Sequence, residues 1–162
     1  MSDDSSVVLE DLFVHHYAEL VRLASGLLDR DEACEEVVQD VFAAMLAGDS
    51  RPAPGRELAY LRSAVLNRAR SRLRRRWVRR RPLAAVPDSP DQVDSLMDRL
   101  EQERILELVR SLPRRQAEVL ILRYQADLSE AEIADTLGIS TGSVKTHASR
   151  GLAAVRQRLE AS

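Results

Sequence analysis

The clearest chemical signal is a run of arginines from Arg68 to Arg81, which fill nine of its fourteen positions. A guanidinium is planar and can donate to two oxygens at once, so this run is suited to phosphate groups. Apolar residues recur within it at helical spacing, which favours an ordered basic helix. A merely solvated basic face is the alternative. Because the chain is otherwise acidic, we interpret the run as a nucleic-acid contact.

Asn67 stands at the start of this run. Its side-chain amide is of the type that reads a base edge. An asparagine in the middle of a helix can equally form a local cap or bend.

A second candidate site lies in LSEAEIADTLGISTGSVKTHASRGL, residues 128–152. Ser129 and Glu132 have the spacing of a capping box, which predicts the start of a short helix. Gly138 follows where a helix end needs positive φ, and Ser140 can cap a second helix. The segment therefore predicts a helix–turn–helix.

The second helix of this motif leaves four polar residues outside its apolar stripe: Lys145, Thr146, Ser149 and Arg150. A polar helix with two cations, braced by a first helix across a sharp turn, suits the DNA major groove. An ordinary helical hairpin in a bundle is the alternative. The motif alone does not distinguish a repressor, a transposase and a polymerase specificity factor.

Helices are predicted around both sites from apolar periodicity. They cover about 7–28, 30–47, 57–81, 94–111 and a stretch that begins with Pro113 at its first position, with 1–6 as a tail. Residues 82–93 contain three prolines and form the best linker candidate. We therefore expect an all-α fold with two small domains, 1–81 and 94–162, joined by a flexible linker.

Charge is unevenly distributed along the chain, although its net charge is only −2. Residues 1–48 carry −9, 49–81 carry +10, 82–103 carry −5 and 104–162 carry +2. The outer face of the second helix is acidic and includes Glu36, Gln39 and Asp40. This alternation indicates separate surfaces for separate partners, one of them a polyanion.

Several functional classes are not supported by the sequence. Cys34 is the only cysteine, so no intramolecular disulfide can form, and we expect it to be a buried small hydrophobe. No phosphate-cradling glycine loop, zinc motif or membrane-length apolar run is present. We expect a soluble cytoplasmic protein without catalytic residues, metal or cofactor.

Four segments together give the chain a resemblance to bacterial RNA polymerase sigma factors of the extracytoplasmic-function (ECF) group. EEVVQDVF resembles their polymerase-binding helix, and YLRSAVLNRARSRLRRR resembles their segment for melting and reading the −10 element. LPRRQAEVLILRY and the helix–turn–helix resemble their −35-reading domain. The order of the segments and the proline-containing linker make the resemblance specific.

The resemblance implies partners and roles for particular residues. Glu36, Gln39 and Asp40 would contact the clamp helices of the β′ subunit, and the helix at Pro113 would help to bind the β flap. Asn67 would help to capture a flipped base of the −10 element. The residues implied to hold DNA nearby are Arg68, Arg70, Arg72, Arg74 and Arg75. Those implied to contact the −35 element are Lys145, Thr146, Ser149 and Arg150.

ECF factors are usually held by an anti-sigma factor, so the resemblance also implies such a partner. The promoter sequence, the inhibitor and the inducing signal are not readable from the sequence. Gly151 departs from the family, where alanine is usual, and glycine costs about 1 kcal/mol within a helix. A stand-alone dimeric helix–turn–helix regulator and a sigma mimic that titrates an inhibitor are the alternatives.

Overall fold

All regular secondary structure in the described residues is helical. The computed structural model describes residues 2–28, 31–77 and 90–162. Its helices are α1 (Ser2–Ser25), α2 (Asp31–Leu46), α3 (Glu57–Trp77), α4 (Pro90–Arg110), α5 (Arg114–Tyr124), α6 (Glu130–Leu137) and α7 (Thr141–Glu160). The predicted all-α class is confirmed.

Helices α1, α2 and α3 pack against one another through the apolar stripes that helical periodicity creates. The side chains with no exposed surface between them include Leu20, Leu23, Val37, Val38, Leu61 and Val65. Cys34 lies in the stripe of α2 and is buried, as expected. This packing leaves Glu36 and Gln39 of α2 exposed to solvent.

Helix α5 is the central helix of the second half and packs against α4, α6 and α7. Its residues from Ala117 to Leu122 are all buried. Gly151 of α7 is also buried, because α7 passes close to α5 at this point. A Cβ at Gly151 would lie 3.0 Å from Leu120 Cδ1, so the missing side chain permits a close helix crossing. The glycine therefore has a packing role that its helix propensity does not indicate.

Three predicted boundaries differ from the structure. Residues 2–6 belong to α1, because an established helix gains one hydrogen bond for each residue it adds. Helix α4 begins at Pro90 and not near Asp94, and proline is tolerated there because a first-turn N–H needs no partner. Pro113 is the N-cap of α5, since its ψ of 144° is not helical, and the helix starts at Arg114.

The predicted linker spans residues 82–93. Residues 82–89 lie outside the described residues, and the last four belong to α4.

The two halves, α1–α3 and α4–α7, are in direct contact. Their buried apolar side chains form one connected cluster. Arg110 of α4 reaches the end of α1, where Nε donates to the carbonyl of Gly26 at 2.9 Å and Nη2 to that of Ser25 at 3.3 Å. The positive guanidinium thus satisfies carbonyls at the negative end of the α1 dipole.

Candidate nucleic-acid interface

The helix–turn–helix is fixed by the caps that the sequence predicts. The Ser129 hydroxyl accepts from the Glu132 amide, while the Glu132 carboxylate accepts from the Ser129 amide. Gly138 ends α6 with a φ of +66°. The Ser140 hydroxyl then accepts from the amide of Ser143 at the start of α7. These local bonds set the angle at which α7 leaves the turn.

One exposed surface of α7 carries all four residues of the predicted −35 contact: Lys145, Thr146, Ser149 and Arg150. The opposite side of the helix is buried at Val144, Ala148 and Val155. The Thr146 hydroxyl donates to the carbonyl of Gly142 at 3.0 Å. We call these four residues the recognition surface.

A shallow cleft adjoins the recognition surface, and the sequence analysis did not identify it. Arg123, Arg156 and Lys145 contribute its positive charges, and Glu130 contributes a carboxylate. The Glu130 oxygens lie 3.7 Å from Lys145 Nζ and 3.8 Å from Arg123 Nη2. Arg123 and Arg156 are isolated cations in the sequence, so no charge run marks them. Only the crossing of α5 and α7 brings them together.

The predicted −10 residues of α3 lie in two rows, because residues three, four and seven apart share a helix side. Asn67, Arg70 and Arg74 form one row, and Arg68, Arg72 and Arg75 form the other. Asn67, Arg68, Arg74 and Arg75 are exposed, whereas Arg70 and Arg72 are partly buried. The predicted −10 residues are therefore divided between two environments.

The second row faces the acidic side of α2. Arg72 Nη1 donates to Glu36 Oε2 at 2.7 Å, and Asp40 Oδ2 lies 3.7 Å from Arg68 Nε and 3.8 Å from Arg72 Nη2. The amide of Gln39 instead donates to the hydroxyl of Tyr17 at 3.3 Å. Residues predicted to bind polymerase are thus ion-paired with residues predicted to bind DNA.

The first row faces α5. The Glu118 carboxylate is 1% exposed and accepts from Arg114 Nε and Arg115 Nη1, both at 2.9 Å. Arg70 Nη2 of α3 lies 3.0 Å from the same carboxylate. The Asn67 side-chain oxygen accepts from Arg114 Nη2 at 3.2 Å. Burial lowers the pKa of Arg70, and the nearby Arg114 and Arg74 add to this effect, although Glu118 opposes it.

A buried ion pair holds α3 against α1. Arg62 is 6% exposed, and its Nε donates to Glu19 Oε1 at 2.7 Å. Glu19 Oε2 lies 2.9 Å from His16 Nδ1. Burial alone would raise the pKa of Glu19, but hydrogen bonds from Arg62 and His16 outweigh burial, so the pKa lies below its ordinary value.

The described residues contain neither a cluster of metal ligands nor a helix that could span a membrane. No group of three or more His, Cys, Asp and Glu side chains among them is arranged to hold a metal ion. Each of their helices is too short or too polar to cross a bilayer.

Comparison with known proteins matches both halves to one family. Sigma-70 region 2 matches residues 12–79, and sigma-70 region 4 matches residues 102–155. The RNA polymerase sigma-E factor of Streptomyces antibioticus is 28% identical over 99% of this chain and 89% of its own length. The sigma-E factor of Streptomyces avermitilis is 34% identical over 63% of this chain and only 56% of its own length.

Two further relatives align over nearly the whole chain. The ECF RNA polymerase sigma factor SigL of Mycobacterium tuberculosis is 26% identical over 96% of this chain and 90% of its own length. The solved structure of CnrH in complex with the cytosolic domain of CnrY superposes with a TM-score of 0.71 at 25% identity. That superposition covers 99% of this chain and 93% of CnrH.

Region 2 followed by region 4, each on its own set of helices, defines a sigma-70-type protein. The chain belongs to the ECF group of RNA polymerase sigma factors.

Proposed function

We propose that this chain is a detachable specificity subunit of RNA polymerase, which directs initiation at particular promoters. Domain 1–81 binds core polymerase and the −10 element, residues 82–93 connect the domains, and domain 94–162 binds the −35 element. The chain acts in the cytoplasm by binding and without catalysing a reaction of its own. The observation that carries this proposal is the pairing of an arginine-rich region 2 with an exposed recognition surface in region 4.

The recognition surface supports a duplex-binding role for the second domain. Lys145 and Arg150 supply charge for phosphates or guanine edges, and Thr146 and Ser149 supply hydroxyls. Arg123 and Arg156 flank this surface with further positive charge, suited to the DNA backbone. The caps on both sides of the turn before α7 fix the direction of this helix, which suits a fixed placement of these side chains toward a groove.

The free-energy cost of opening DNA indicates that this chain and polymerase hold the single-stranded −10 element together. Stacking is worth about 1.4 kcal/mol per step, so opening on the order of ten base pairs costs roughly 14 kcal/mol. A base held against a protein ring returns about 1–3 kcal/mol. Asn67 and the arginines of α3 therefore hold only part of an opened strand. We infer that the polymerase channel supplies the rest.

Two protein partners follow from the same proposal. Glu36, Gln39 and Asp40 form the contact with the β′ clamp helices, and α5 contributes to the contact with the β flap. An anti-sigma factor is the regulatory partner, as suggested by the complex of CnrH with the cytosolic domain of CnrY. Such an inhibitor acts by covering surfaces that polymerase needs.

In vitro transcription tests this proposal. Core RNA polymerase is incubated with genomic fragments, with and without this chain. We expect new transcripts with defined starts, whose upstream sequences share two spaced elements. Absence of transcripts together with tight binding of the free chain to a palindromic duplex would replace the proposal with a dimeric helix–turn–helix regulator.

A further inference from the structure

Of the 24 lysine and arginine residues in the sequence, only Lys145 is a lysine. An arginine guanidinium stays protonated, whereas a lysine amine can lose its proton and is a common target of acetylation. Lys145 is therefore the single side-chain amine of the chain that an acyl donor can modify. It belongs to the recognition surface, and its side chain is 68% exposed, so solutes reach it freely.

Lys145 borders the shallow cleft beside α7, whose charges favour an anion. Arg123 and Arg156 line this cleft together with Lys145, and Glu130 supplies the only carboxylate among the described residues that line it. The Glu130 carboxylate lies 3.7 Å from Lys145 Nζ and 3.8 Å from Arg123 Nη2. Three cations thus outnumber one anion, and we call this space the cationic cleft.

The cationic cleft also has an apolar part. Ala148, Leu152 and Ala153 line it beside the charged groups. Its volume of about 450 Å³ is in the range of sites for small molecules. Because guanidinium groups bind phosphate oxygens in pairs, a phosphate suits the arginines, while a short acyl group suits the apolar part. The cleft therefore matches a small molecule that joins a phosphate to an acyl group.

We propose that Lys145 is an acylation site, and that its donor is a small acyl phosphate held in the cationic cleft. The Lys145 amine, after it has lost one proton to water, attacks the carbonyl carbon of the donor. The new C–N bond forms as the C–O bond to phosphate breaks, and the electron pair of that bond leaves with the phosphate. The nitrogen then releases a second proton to water. The products are an uncharged amide and inorganic phosphate.

Binding of the donor makes this step faster than the reaction of a free lysine. Arg123 and Arg156 hold the phosphate beside Lys145, so the reaction occurs within a complex and not by random collision. The same two guanidinium groups stabilise the negative charge that develops on the departing phosphate. The rate at Lys145 should therefore saturate with donor concentration, and inorganic phosphate should inhibit it.

Acylation weakens the contact of the recognition surface with DNA. This consequence rests on the proposed function, in which Lys145 contacts the −35 element, whereas the modification itself does not. The amide is neutral, so the surface loses one of its cations. Glu130 loses Lys145 as a charge partner at the same time, which leaves its carboxylate to repel phosphate. Promoter recognition thus becomes sensitive to the supply of acyl phosphate.

The first measurement is the rate at which acetyl phosphate acylates Lys145 in the full chain. Mass spectrometry follows the modification, and Nα-acetyl-lysine methylamide in the same solution gives the rate of a free lysine amine. We expect Lys145 to react at least about tenfold faster than this reference, with inhibition by inorganic phosphate. Acylation of Lys145 no faster than that of the reference would overturn the proposed site.

Arg123→Gln combined with Arg156→Gln removes both phosphate ligands, so Lys145 should then react with acetyl phosphate at about the rate of the reference amine. Arg22→Gln combined with Arg99→Gln is the matched control, because it removes the same charge at exposed positions on α1 and α4 and should react like the wild type. S-acetyl-N-acetylcysteamine, a donor without phosphate, should acylate all three chains equally. A deficit that the control shares, or that persists with this thioester, would overturn the role of the two arginines.

The second measurement compares binding to a labelled mixed-sequence duplex before and after acylation. We expect the acylated chain to bind about eightfold more weakly at about 0.1 M salt, with a salt slope lower by about 0.9, because one phosphate contact is lost. Lys145→Arg has no amine to acylate, so the same treatment should leave its own affinity unchanged. Undiminished affinity of the acylated wild type would overturn the consequence for DNA binding. Failure of the proposed function would show separately, as a lack of polymerase-dependent transcription from the unmodified chain.

Discussion

At the scale of single residues, the Glu19–Arg62 ion pair links α1 to α3. It lies in the α1–α3 packing, where both side chains are largely buried. Removing one member leaves the other without its charge partner in a place that water reaches poorly. Such changes cost more than the loss of an exposed ion pair.

Glu19→Gln is expected to destabilise the chain by about 1–3 kcal/mol at neutral pH. The folded pKa of Glu19 is below its ordinary 4.5, so its stabilisation is present above that value and is lost as pH falls through the folded pKa. Urea unfolding of wild type and variant should therefore differ at pH 7 and converge in acid. A difference in the free energy of unfolding that stayed constant with pH would contradict the assignment of the effect to this carboxylate.

Gly151 shows how packing can outweigh propensity. Alanine would gain about 1 kcal/mol of helix propensity, but its Cβ would press on Leu120, so we expect Gly151→Ala to be near neutral. Gly151→Leu overfills the same contact and should cost about 1–3 kcal/mol. Thermal unfolding of both variants measures this difference, and equal melting temperatures would refute the close α5–α7 crossing.

Among the elements, the helix–turn–helix is the one whose boundaries the sequence specifies best. Ser129, Gly138 and Ser140 act through bonds to residues two to four positions away, so their pattern is visible in the chain itself. Helix starts at Ser2 and Pro90 were missed because no comparable cap marks them. The packing reason for Gly151 was also hidden, since it depends on α5.

Ser129→Ala removes the hydrogen bond that the serine hydroxyl accepts in the capping box of α6. We expect a loss of about 1 kcal/mol in stability, because the Glu132 amide loses its acceptor. Denaturant unfolding, monitored by circular dichroism, measures this loss of stability. Ser6→Ala, at a partly exposed position in α1, is the control and should change stability by less than about 0.5 kcal/mol.

The two cations of the recognition surface should contribute to the salt dependence of binding to duplex DNA. Lys145→Ala and Arg150→Ala should each reduce the salt slope of duplex binding by about 0.9 if each contacts one phosphate. Arg99→Ala, an exposed cation on α4, is the matched control and should leave the slope unchanged. If all three variants had the same salt slope, the duplex would contact a surface other than the recognition surface.

For the molecule as a whole, the charge pattern of the sequence predicts a surface for a polyanion, but it does not show which groups of the chain itself lie against that surface. Arg70 and Glu118 are far apart in the chain, and no local pattern predicts that they meet. The same holds for Glu36 and Arg72. Sequence thus predicted which residues carry charge, whereas only the fold reveals that several are paired with each other.

These intramolecular pairs explain why the chain is expected to work only with a partner. Under the proposed function, a polymerase contact at Glu36 and Asp40 would compete with the ion pairs that these residues form with Arg68 and Arg72. An internal contact would then be exchanged for an external one. We therefore propose that promoter opening is a property of the assembly.

Permanganate footprinting of a promoter found by in vitro transcription tests this dependence most directly, because permanganate oxidises unpaired thymines. At physiological salt we predict reactive thymines around the −10 element only when core polymerase and this chain are both present. The same thymines reacting with the isolated chain, or with core polymerase alone, would contradict a specificity subunit that opens DNA only as part of the polymerase.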